Sequence, residues 1–227
     1  MTWVKICGMT NLEDALIAVD AGADAVGFVF YEKSPRKMEV ETVGSIVGAL
    51  PQQIEKVGVF VEQDEEEVCD IVEGAGLTTV QAYGRLASGL FAQRRSVDPS
   101  PVGDRLADTK VILAVSAEQL KHLFLTEKSK AGFDSVLIDS GSGVVPGGTG
   151  KTFDWDSALH IIQGLNVNLP VIVAGGLNPG NVGDAIRCFR PFGVDVASGV
   201  EARPGKKDPE KVRAFVRAVR EFDRKAS

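Results

Sequence analysis

The fold is decided by the first strand–helix–strand segment, which reads WVKICGMTNLEDALIAVDAGADAVGFVF over residues 3–30. Two short apolar runs, Trp3–Cys7 and Ala25–Phe30, are predicted strands. The second is apolar throughout, as in parallel strands that are buried on both faces. Between them, Asn11 is a typical helix cap and Gly22 a typical helix stop. The segment therefore predicts a strand, a helix and a second strand in close succession.

The same alternation of short apolar runs and longer helical patterns continues along the chain. The predicted strands are Trp3–Cys7, Ala25–Phe30, Glu55–Val61, Thr78–Gln81, Val111–Ala114, Ser135–Asp139, Val171–Ala174 and Gly193–Ala197. Strands interleaved with helices in this way predict an α/β fold, a (βα)8 TIM barrel in which eight parallel strands are closed by outer helices. An open doubly wound sheet is the structural alternative. The 227 residues suit a single (βα)8-barrel domain over 1–227, because such barrels take about 250 residues.

Later helices are marked by their first and last turns. They are predicted at Val40–Leu50, at Asp64–Glu73, from Asn178-Pro179 onward, and at Val212–Asp223 after Asp208-Pro209. Proline at the first helical position favours the last two starts, and the acidic first turn of the second suits the helix dipole. Residues 85–108 predict a short helix and a loop.

Composition excludes several classes of function. Asp and Glu number 31 against 25 for Lys and Arg, a net charge of −6, and no basic cluster predicts a nucleic-acid partner. The cysteines are Cys7, Cys69 and Cys188, which form neither a disulfide framework nor a zinc pattern. The start of the chain lacks the apolar core of a signal peptide, and no uncharged run approaches the roughly 18 residues of a membrane span. We expect a cytoplasmic protein with no membrane partner.

Three strand ends carry candidate catalytic and binding residues, because barrel active sites are built at the carboxyl ends of the strands. Cys7 ends the first strand and is a candidate base or nucleophile; the alternative is a small buried thiol. Asp139 ends the sixth strand and is a candidate acid; the alternative is a helix cap or a loop carboxylate. Arg36 follows the second strand and suits a carboxylate clamp, unless it is a solvated surface residue.

Glycines after the seventh and eighth strands predict a phosphate site. Gly175 and Gly176 follow one strand, and Ser198 and Gly199 follow the other. Barrels often bind phosphate between these loops, through backbone N–H groups and the N-terminus of a short helix. We expect the helical turn at 200–202.

The glycine-rich segment Gly141–Thr152 is similar to a nucleotide-binding P-loop but is not one. That motif needs a glycine where Val145 stands, so we exclude a nucleoside triphosphatase and expect a loop over the site. The two histidines, His122 and His160, lie in helical stretches rather than at strand ends. This disfavours a metal-dependent epimerase, and we expect neither a metal nor a cofactor.

These segments together resemble one family, phosphoribosylanthranilate isomerase of tryptophan biosynthesis. The matching segments are Lys5–Gly8, Gly27–Phe30, Ser34–Arg36, Val57–Phe60, Leu137–Asp139, Gly147–Trp155, Ala174–Pro179 and Gly193–Glu201. They occur in the family's order and cover most of the chain outside residues 85–130.

The resemblance implies an Amadori rearrangement of N-(5-phosphoribosyl)anthranilate to 1-(2-carboxyphenylamino)-1-deoxyribulose 5-phosphate. It implies that Asp139 is the general acid, Cys7 the general base and Arg36 the partner of the anthranilate carboxylate. The substrate-binding positions that it implies are Arg36, Tyr83, Gly148, Gly175, Gly176, Asp195, Ser198 and Gly199. The partner is then a small phosphorylated molecule, and the protein is a monomer or a homodimer.

The chemistry sets a condition on both catalytic groups. Unperturbed cysteine and aspartate have pKa values of about 8.5 and 3.9. The pKa of Cys7 therefore has to fall and that of Asp139 has to rise for both to act near neutral pH. A nearby positive group would lower the first, and a desolvated mouth would raise the second.

Two positions depart from the family pattern and keep rival functions open. Tyr83 stands where the family usually has a histidine, and Val111–Ala114 lacks a lysine common in relatives. One rival is a histidine-pathway barrel isomerase, whose acid and base are typically both aspartates, unlike Cys7. The other is a barrel that binds a phosphorylated ligand without turnover. Tyr83 favours this last possibility, and the presence of Cys7, Asp139 and Arg36 together argues against it.

Overall fold

The structure is a computed structural model that describes residues 1–94, 101–116, 119, 132–139, 159 and 169–226. Its barrel strands are β1 (Trp3–Cys7), β2 (Ala25–Val29), β3 (Glu55–Phe60), β4 (Thr79–Tyr83), β5 (Lys110–Ser116), β6 (Ser135–Asp139), β7 (Val171–Val173) and β8 (Gly193–Val196). The described helices are α1 (Leu12–Ala21), α2 (Val40–Gly48), α3 (Glu65–Ala75), α4 (Gly84–Arg94), α5 (Pro101–Arg105), α6 (Val182–Phe189) and α7 (Pro209–Ala226).

The strands form a closed barrel in the order in which they occur along the chain. Every neighbouring pair is parallel, and β8 pairs back onto β1 with Asp195 opposite Lys5. This closure confirms the predicted (βα)8 barrel, and the open doubly wound alternative is wrong because an open sheet would leave β1 and β8 unpaired.

Two apolar layers surround the strands, because successive side chains of a strand point to opposite faces. The larger layer lies between the strands and the helices. The smaller layer fills the barrel interior and consists of Ala25, Val57, Ile112, Ala114, Leu137, Ile172 and Ala174, with Trp3 and Tyr83 packed against it. Polar side chains on the same inward faces are thereby held at fixed positions within the barrel.

Two strands extend beyond their predicted ends, which changes where site residues lie. The fourth strand was expected to end at Gln81 but continues to Tyr83, so Tyr83 is a strand residue rather than a loop residue. The fifth continues to Ser116, where its last residue pairs with Asp139 of β6. The reason in both cases is hydrogen bonding to a neighbouring strand, which an apolar pattern alone does not reveal.

Most helix ends follow the predicted capping. Asn11 accepts a hydrogen bond from the backbone of Asp14 at 2.9 Å, and Gly22 ends α1 in the left-handed region with φ of 93°. The start predicted at Asn178-Pro179 is wrong, because α6 begins at Val182. Residues 178–181 instead form a turn. In it the backbone N–H groups of Asn178 and Gly180 donate to the side-chain oxygens of Asn181 and Asn178, respectively.

A short hairpin follows the last barrel strand. A single 3₁₀ turn covers Ser198–Val200, and the antiparallel strands β9 (Glu201–Arg203) and β10 (Lys206–Lys207) come next. The turn predicted at 200–202 is therefore wrong by two residues, because Glu201 and Ala202 are extended and pair within the hairpin. Among the described residues, no helix is both long and apolar enough to span a membrane.

Candidate active site

One cavity lies at the carboxyl ends of the barrel strands. The described residues that line it are Cys7, Val29, Tyr31, Ser34, Arg36, Val59, Val61, Gln81, Tyr83, Asp139, Ala174, Gly175, Gly176, Leu177, Asp195, Val196, Ala197 and Ser198. The predicted site residues are all in this lining except Gly148 and Gly199. Gly148 lies outside the described residues, as do the rest of its glycine-rich loop and both histidines. Gly199 is not among the lining residues but lies against Leu177 of the loop after β7.

Cys7 is buried at the end of β1 in a space that Gly27 leaves open. A Cβ at position 27 would lie 2.8 Å from the Cys7 sulfur, so the neighbouring strand has to carry glycine there. Burial raises the pKa of Cys7, while the positive charges of Lys5 and Lys207 act to lower it. The expected fall in this pKa is therefore wrong in sign, because desolvation of the thiolate outweighs both cations.

Lys5 is the residue that the sequence analysis missed at the centre of the barrel. Its side chain is 0% exposed, and its ammonium donates to Asp195 Oδ1 and to Gln81 Oε1, both at 2.9 Å. Burial acts to lower the pKa of Lys5, but Asp195 and Cys7 raise it overall, so the ammonium stays charged. The sequence does contain a signal for Lys5. It stands two residues before Cys7, and alternate residues of a strand share one face, so Lys5 and Cys7 should both point into the barrel.

Tyr83 continues this interior network toward the mouth. Its hydroxyl accepts a hydrogen bond from Gln81 Nε2 at 3.3 Å. Burial raises the pKa of Tyr83 well above its usual value, and the negative charges of Asp139 and Asp195 raise it further. Tyr83 therefore presents a neutral hydroxyl at physiological pH.

Arg36 lines the cavity but is not an unpaired clamp. Its Nε and Nη2 donate to Glu201 Oε1 and Oε2 at 2.8 and 2.6 Å, a bidentate pair between residues far apart in the chain. Gly8 permits this placement, since a Cβ there would lie 2.5 Å from Arg36 Cδ. The hydrogen bonds to Glu201 raise the pKa of Arg36, so the guanidinium remains a cation at the cavity wall.

The two glycine loops meet beside the cavity. Gly175 and Gly176 adopt φ values of 87° and 65°, which favour glycine. A Cβ on Gly199 would overlap the carbonyl oxygen of Leu177, so this glycine allows the two loops to touch. Within the described part of the chain, the backbone N–H groups of Gly176 and Ser198 donate to no protein acceptor. Unpaired N–H groups converging from two loops suit an anion.

Acidic, thiol and imidazole groups are not gathered into a metal-binding set in the part of the chain that the structure describes. Cys7 and Asp139 come from β1 and β6, which are separated in the barrel by β7 and β8. The fold and these side chains define a (βα)8-barrel enzyme with its site at the carboxyl ends of the strands.

Comparison with known proteins identifies the family. The family model of N-(5'phosphoribosyl)anthranilate (PRA) isomerase matches residues 4–218. The chain belongs to this family.

Individual relatives match over nearly their whole length. The N-(5'-phosphoribosyl)anthranilate isomerase of Pelobacter propionicus is 41% identical over 223 residues, with 97% of each chain covered. That of Desulforudis audaxviator is 42% identical over 221 residues, with 97% of this chain and 99% of the relative covered. These relatives are therefore similar to the chain from end to end.

Solved structures agree with the sequence relatives. Phosphoribosyl anthranilate isomerase from Thermotoga maritima superposes with a TM-score of 0.77 at 38% identity, covering 97% of this chain and 100% of that one. A phosphoribosyl anthranilate isomerase in complex with reduced 1-(o-carboxyphenylamino)-1-deoxyribulose 5-phosphate superposes with a TM-score of 0.73 at 36% identity, with the same coverage.

Proposed function

We propose that this protein isomerises N-(5-phosphoribosyl)anthranilate to 1-(2-carboxyphenylamino)-1-deoxyribulose 5-phosphate in L-tryptophan biosynthesis. The observation that carries the proposal is the convergence of Cys7, Asp139 and Arg36 on one cavity at the barrel mouth, in a chain that belongs to this isomerase family. The reaction needs an acid, a base and a group that recognises a carboxylate, and each of the three side chains supplies one.

Asp139 is the proposed general acid. In its protonated form it donates a proton to the furanose ring oxygen, the bond from C1′ to that oxygen breaks, and the anthranilate nitrogen lone pair forms a Schiff base with C1′. The position of Asp139 at the buried end of β6 supports this role. The step consumes the protonated form of the carboxyl group.

Cys7 is the proposed general base. Its thiolate removes the proton from C2′, and the electron pair moves toward the cationic nitrogen to give an enolamine that tautomerises to the ketone. Burial raises the pKa of Cys7, so the thiolate is the minor form at neutral pH but a stronger base once formed. Lys5 and Lys207 supply the positive charge that stabilises this thiolate.

The phosphate is proposed to bind between Gly175-Gly176 and Ser198-Gly199. None of these residues is charged, so the attraction comes from backbone N–H groups and the Ser198 hydroxyl. The N–H groups of Gly176 and Ser198, which are unpaired within the described residues, support this placement. Gly148 stays a sequence prediction for the same subsite.

Three broader expectations complete the proposal. We propose a single domain over 1–227, acting as a monomer or a homodimer, with no nucleic-acid or membrane partner. A cytoplasmic location is supported by three free cysteines, Cys7, Cys69 and Cys188, since free thiols persist in reducing compartments.

The direct test is turnover of freshly prepared N-(5-phosphoribosyl)anthranilate by the purified protein, followed as loss of anthranilate-type fluorescence. We expect saturable turnover without added metal. A protein that binds the substrate but does not convert it would support the binding-only rival. Conversion of the histidine-pathway substrate instead would support the second rival, a histidine-pathway barrel isomerase. Iodoacetamide offers a second check, because a substrate analogue should protect Cys7 but not Cys69 or Cys188.

A further inference from the structure

A cluster of charged side chains joins Arg36 to the hairpin after β8 and consists of Arg36, Glu201 and Lys207. Glu201 is the first residue of that hairpin, and its side chain is only 4% exposed. Both of its carboxylate oxygens are taken by Arg36, at 2.8 and 2.6 Å. A bidentate pair fixes the plane of a guanidinium as well as its position. The orientation of Arg36 is thus set by a residue outside the predicted site.

Lys207 holds Glu201 from the other side. Its ammonium is 0% exposed and donates to Glu201 Oε1 at 3.0 Å, to the Cys7 carbonyl at 2.6 Å and to the Ala197 carbonyl at 3.2 Å. A lysine ammonium has three donors, and all three are used. Lys207 therefore ties the carboxylate to the ends of β1 and β8.

The hairpin is anchored in turn to the first helix. Asp14 of α1 is fully buried and accepts from the Lys207 backbone at 2.8 Å and from Lys206 Nζ at 2.6 Å. The Thr10 hydroxyl donates to the Gly205 carbonyl across the hairpin turn. These contacts hold Glu201 and Lys207 against the loop that follows Cys7.

The cluster holds more basic side chains than carboxylates. Two basic side chains, Arg36 and Lys207, share the single carboxylate of Glu201, and Arg36 is the one that lines the cavity. Glu201 uses Nε and Nη2 of Arg36, whereas Nη1 bonds nothing within the described residues. A buried cation is costly unless an anion neutralises it. The remaining guanidinium donors therefore favour a carboxylate on the ligand.

We propose that Glu201 and Lys207 are positioning residues that hold Arg36 in the orientation that recognises the substrate carboxylate. The inference rests on the proposed function and adds two residues to it. Glu201 fixes the guanidinium plane, and Lys207 fixes Glu201. Neither touches the reacting atoms.

The test compares two ligands that differ in one group. One is reduced 1-(o-carboxyphenylamino)-1-deoxyribulose 5-phosphate, and the other is its analogue without the carboxylate. Calorimetry gives Kd for each with the intact protein and with Glu201→Gln. We expect Glu201→Gln to weaken the carboxylate ligand about tenfold or more, the loss of one hydrogen bond to a charged group. The analogue without a carboxylate should change less than about twofold, because its binding does not use Arg36.

Matched variants separate positioning from general stability. Glu210→Gln removes a carboxylate from an exposed pair with Arg213 and should change neither Kd. Glu201→Asp keeps the charge and should restore part of the carboxylate preference. Should Glu201→Gln not fold, the ratio of the two Kd values in Glu201→Asp decides, because a global loss of structure weakens both ligands equally.

Two outcomes distinguish this inference from the function on which it rests. An intact protein that does not turn over N-(5-phosphoribosyl)anthranilate would overturn the proposed function. Normal turnover together with an unchanged Kd ratio in the Glu201 variant would overturn the positioning role alone.

Discussion

The two fully buried lysines of the site are held in opposite ways. Lys5, inside the barrel, pairs with Asp195, and the pKa of Lys5 is raised although burial alone would lower it. Lys207, under the hairpin, has to share Glu201 with Arg36, and burial lowers its pKa. Both side chains are fully buried. Asp195 and Cys7 act to raise the pKa of Lys5, whereas the charge of Arg36 acts with burial to lower that of Lys207. A carboxylate stabilises a buried ammonium group more strongly when it is not shared with a second cation.

Under the proposed function, one network belongs to a chemical part of the site and the other to a recognition part. The lumen network, Lys5 with Asp195 and Gln81, has no net charge and lies directly beneath Cys7. In the hairpin network, two basic side chains, Arg36 and Lys207, share the carboxylate of Glu201, and Arg36 lines the cavity. We expect changes in the first to act on kcat or folding, and changes of Arg36 or Glu201 to act on KM. Lys207 also acts to lower the pKa of Cys7, so its changes should affect both constants.

The largest effect is expected from Asp139→Asn. An amide cannot protonate the ring oxygen, so kcat should fall by about 10²–10⁴-fold with KM changed less than about threefold. Steady-state kinetics of the purified variant measure both. Asp184→Asn, which alters an exposed carboxylate paired with Arg187, is the control. Near-normal turnover of the Asp139 variant would end its assignment as the acid.

Lys5→Met is expected to cost the most stability. It leaves Asp195 charged and unpaired inside the barrel, a loss of about 3–5 kcal/mol in the free energy of unfolding. Denaturant unfolding measures this. Lys110→Met, which removes a mostly exposed lysine from a pair with Glu55, should have little effect. Equal losses in the two variants would contradict the lumen network as described.

The same variant has a consequence for pH dependence. The pKa of Cys7 is already raised by burial, and Lys5 is the cation that acts most strongly to lower it. Lys5→Met should therefore move the alkaline midpoint of Cys7 alkylation by iodoacetamide to higher pH. The raised thiol pKa favours the neutral form in the folded state, so its contribution to stability is present below the unfolded value and is lost as pH rises through the folded value. An unchanged midpoint would show that Lys5 does not affect the pKa of Cys7.

Gly199→Ala tests the phosphate loops. The new methyl group overlaps the Leu177 carbonyl and separates the two loops, so we expect KM to rise about ten- to a hundredfold through lost N–H contacts with the phosphate. Gly183→Ala is a matched control, because a Cβ there meets nothing within 4 Å. Similar KM values for the two variants would place the phosphate elsewhere.

Arg36→Lys tests the recognition part. Lysine keeps the charge but loses the planar fork that Glu201 orients, so KM should rise about tenfold and kcat/KM should fall. A KM equal to that of the intact protein would return Arg36 to a purely structural role with Glu201.

The features that the sequence predicted are local, whereas the contact that it missed joins residues far apart in the chain. Cys7 and Asp139 were found because each ends an apolar strand, a local pattern that a barrel turns into a position at the mouth. Arg36 was found through the loop after β2, but its partner Glu201 is 165 residues away. That contact forms only when β8 pairs with β1 and the hairpin packs against the loop after β2. No local sequence pattern therefore predicts it.

The sign of the Cys7 pKa was missed for a related reason. A strand-end thiol suggests an accessible group near a cation, and the cations are indeed present as Lys5 and Lys207. The structure adds the burial of the thiol, which occupies space left by Gly27 of the next strand. Desolvation and charge act in opposite directions here, and only the assembled barrel shows which is larger.

The smallest effect is expected from Tyr83→His. Tyr83 contributes a neutral hydroxyl that accepts one long hydrogen bond from Gln81 at 3.3 Å, and a neutral imidazole can accept the same bond. Both kcat and KM should therefore change less than about fivefold, since a net hydrogen bond contributes about 1 kcal/mol or less at this length. Tyr83→Phe is the informative companion, because it removes the hydroxyl and leaves the ring. If histidine abolished turnover while phenylalanine did not, the site would reject the imidazole beside Asp139 and Asp195. If both abolished it, the hydroxyl would belong to the chemical part of the site.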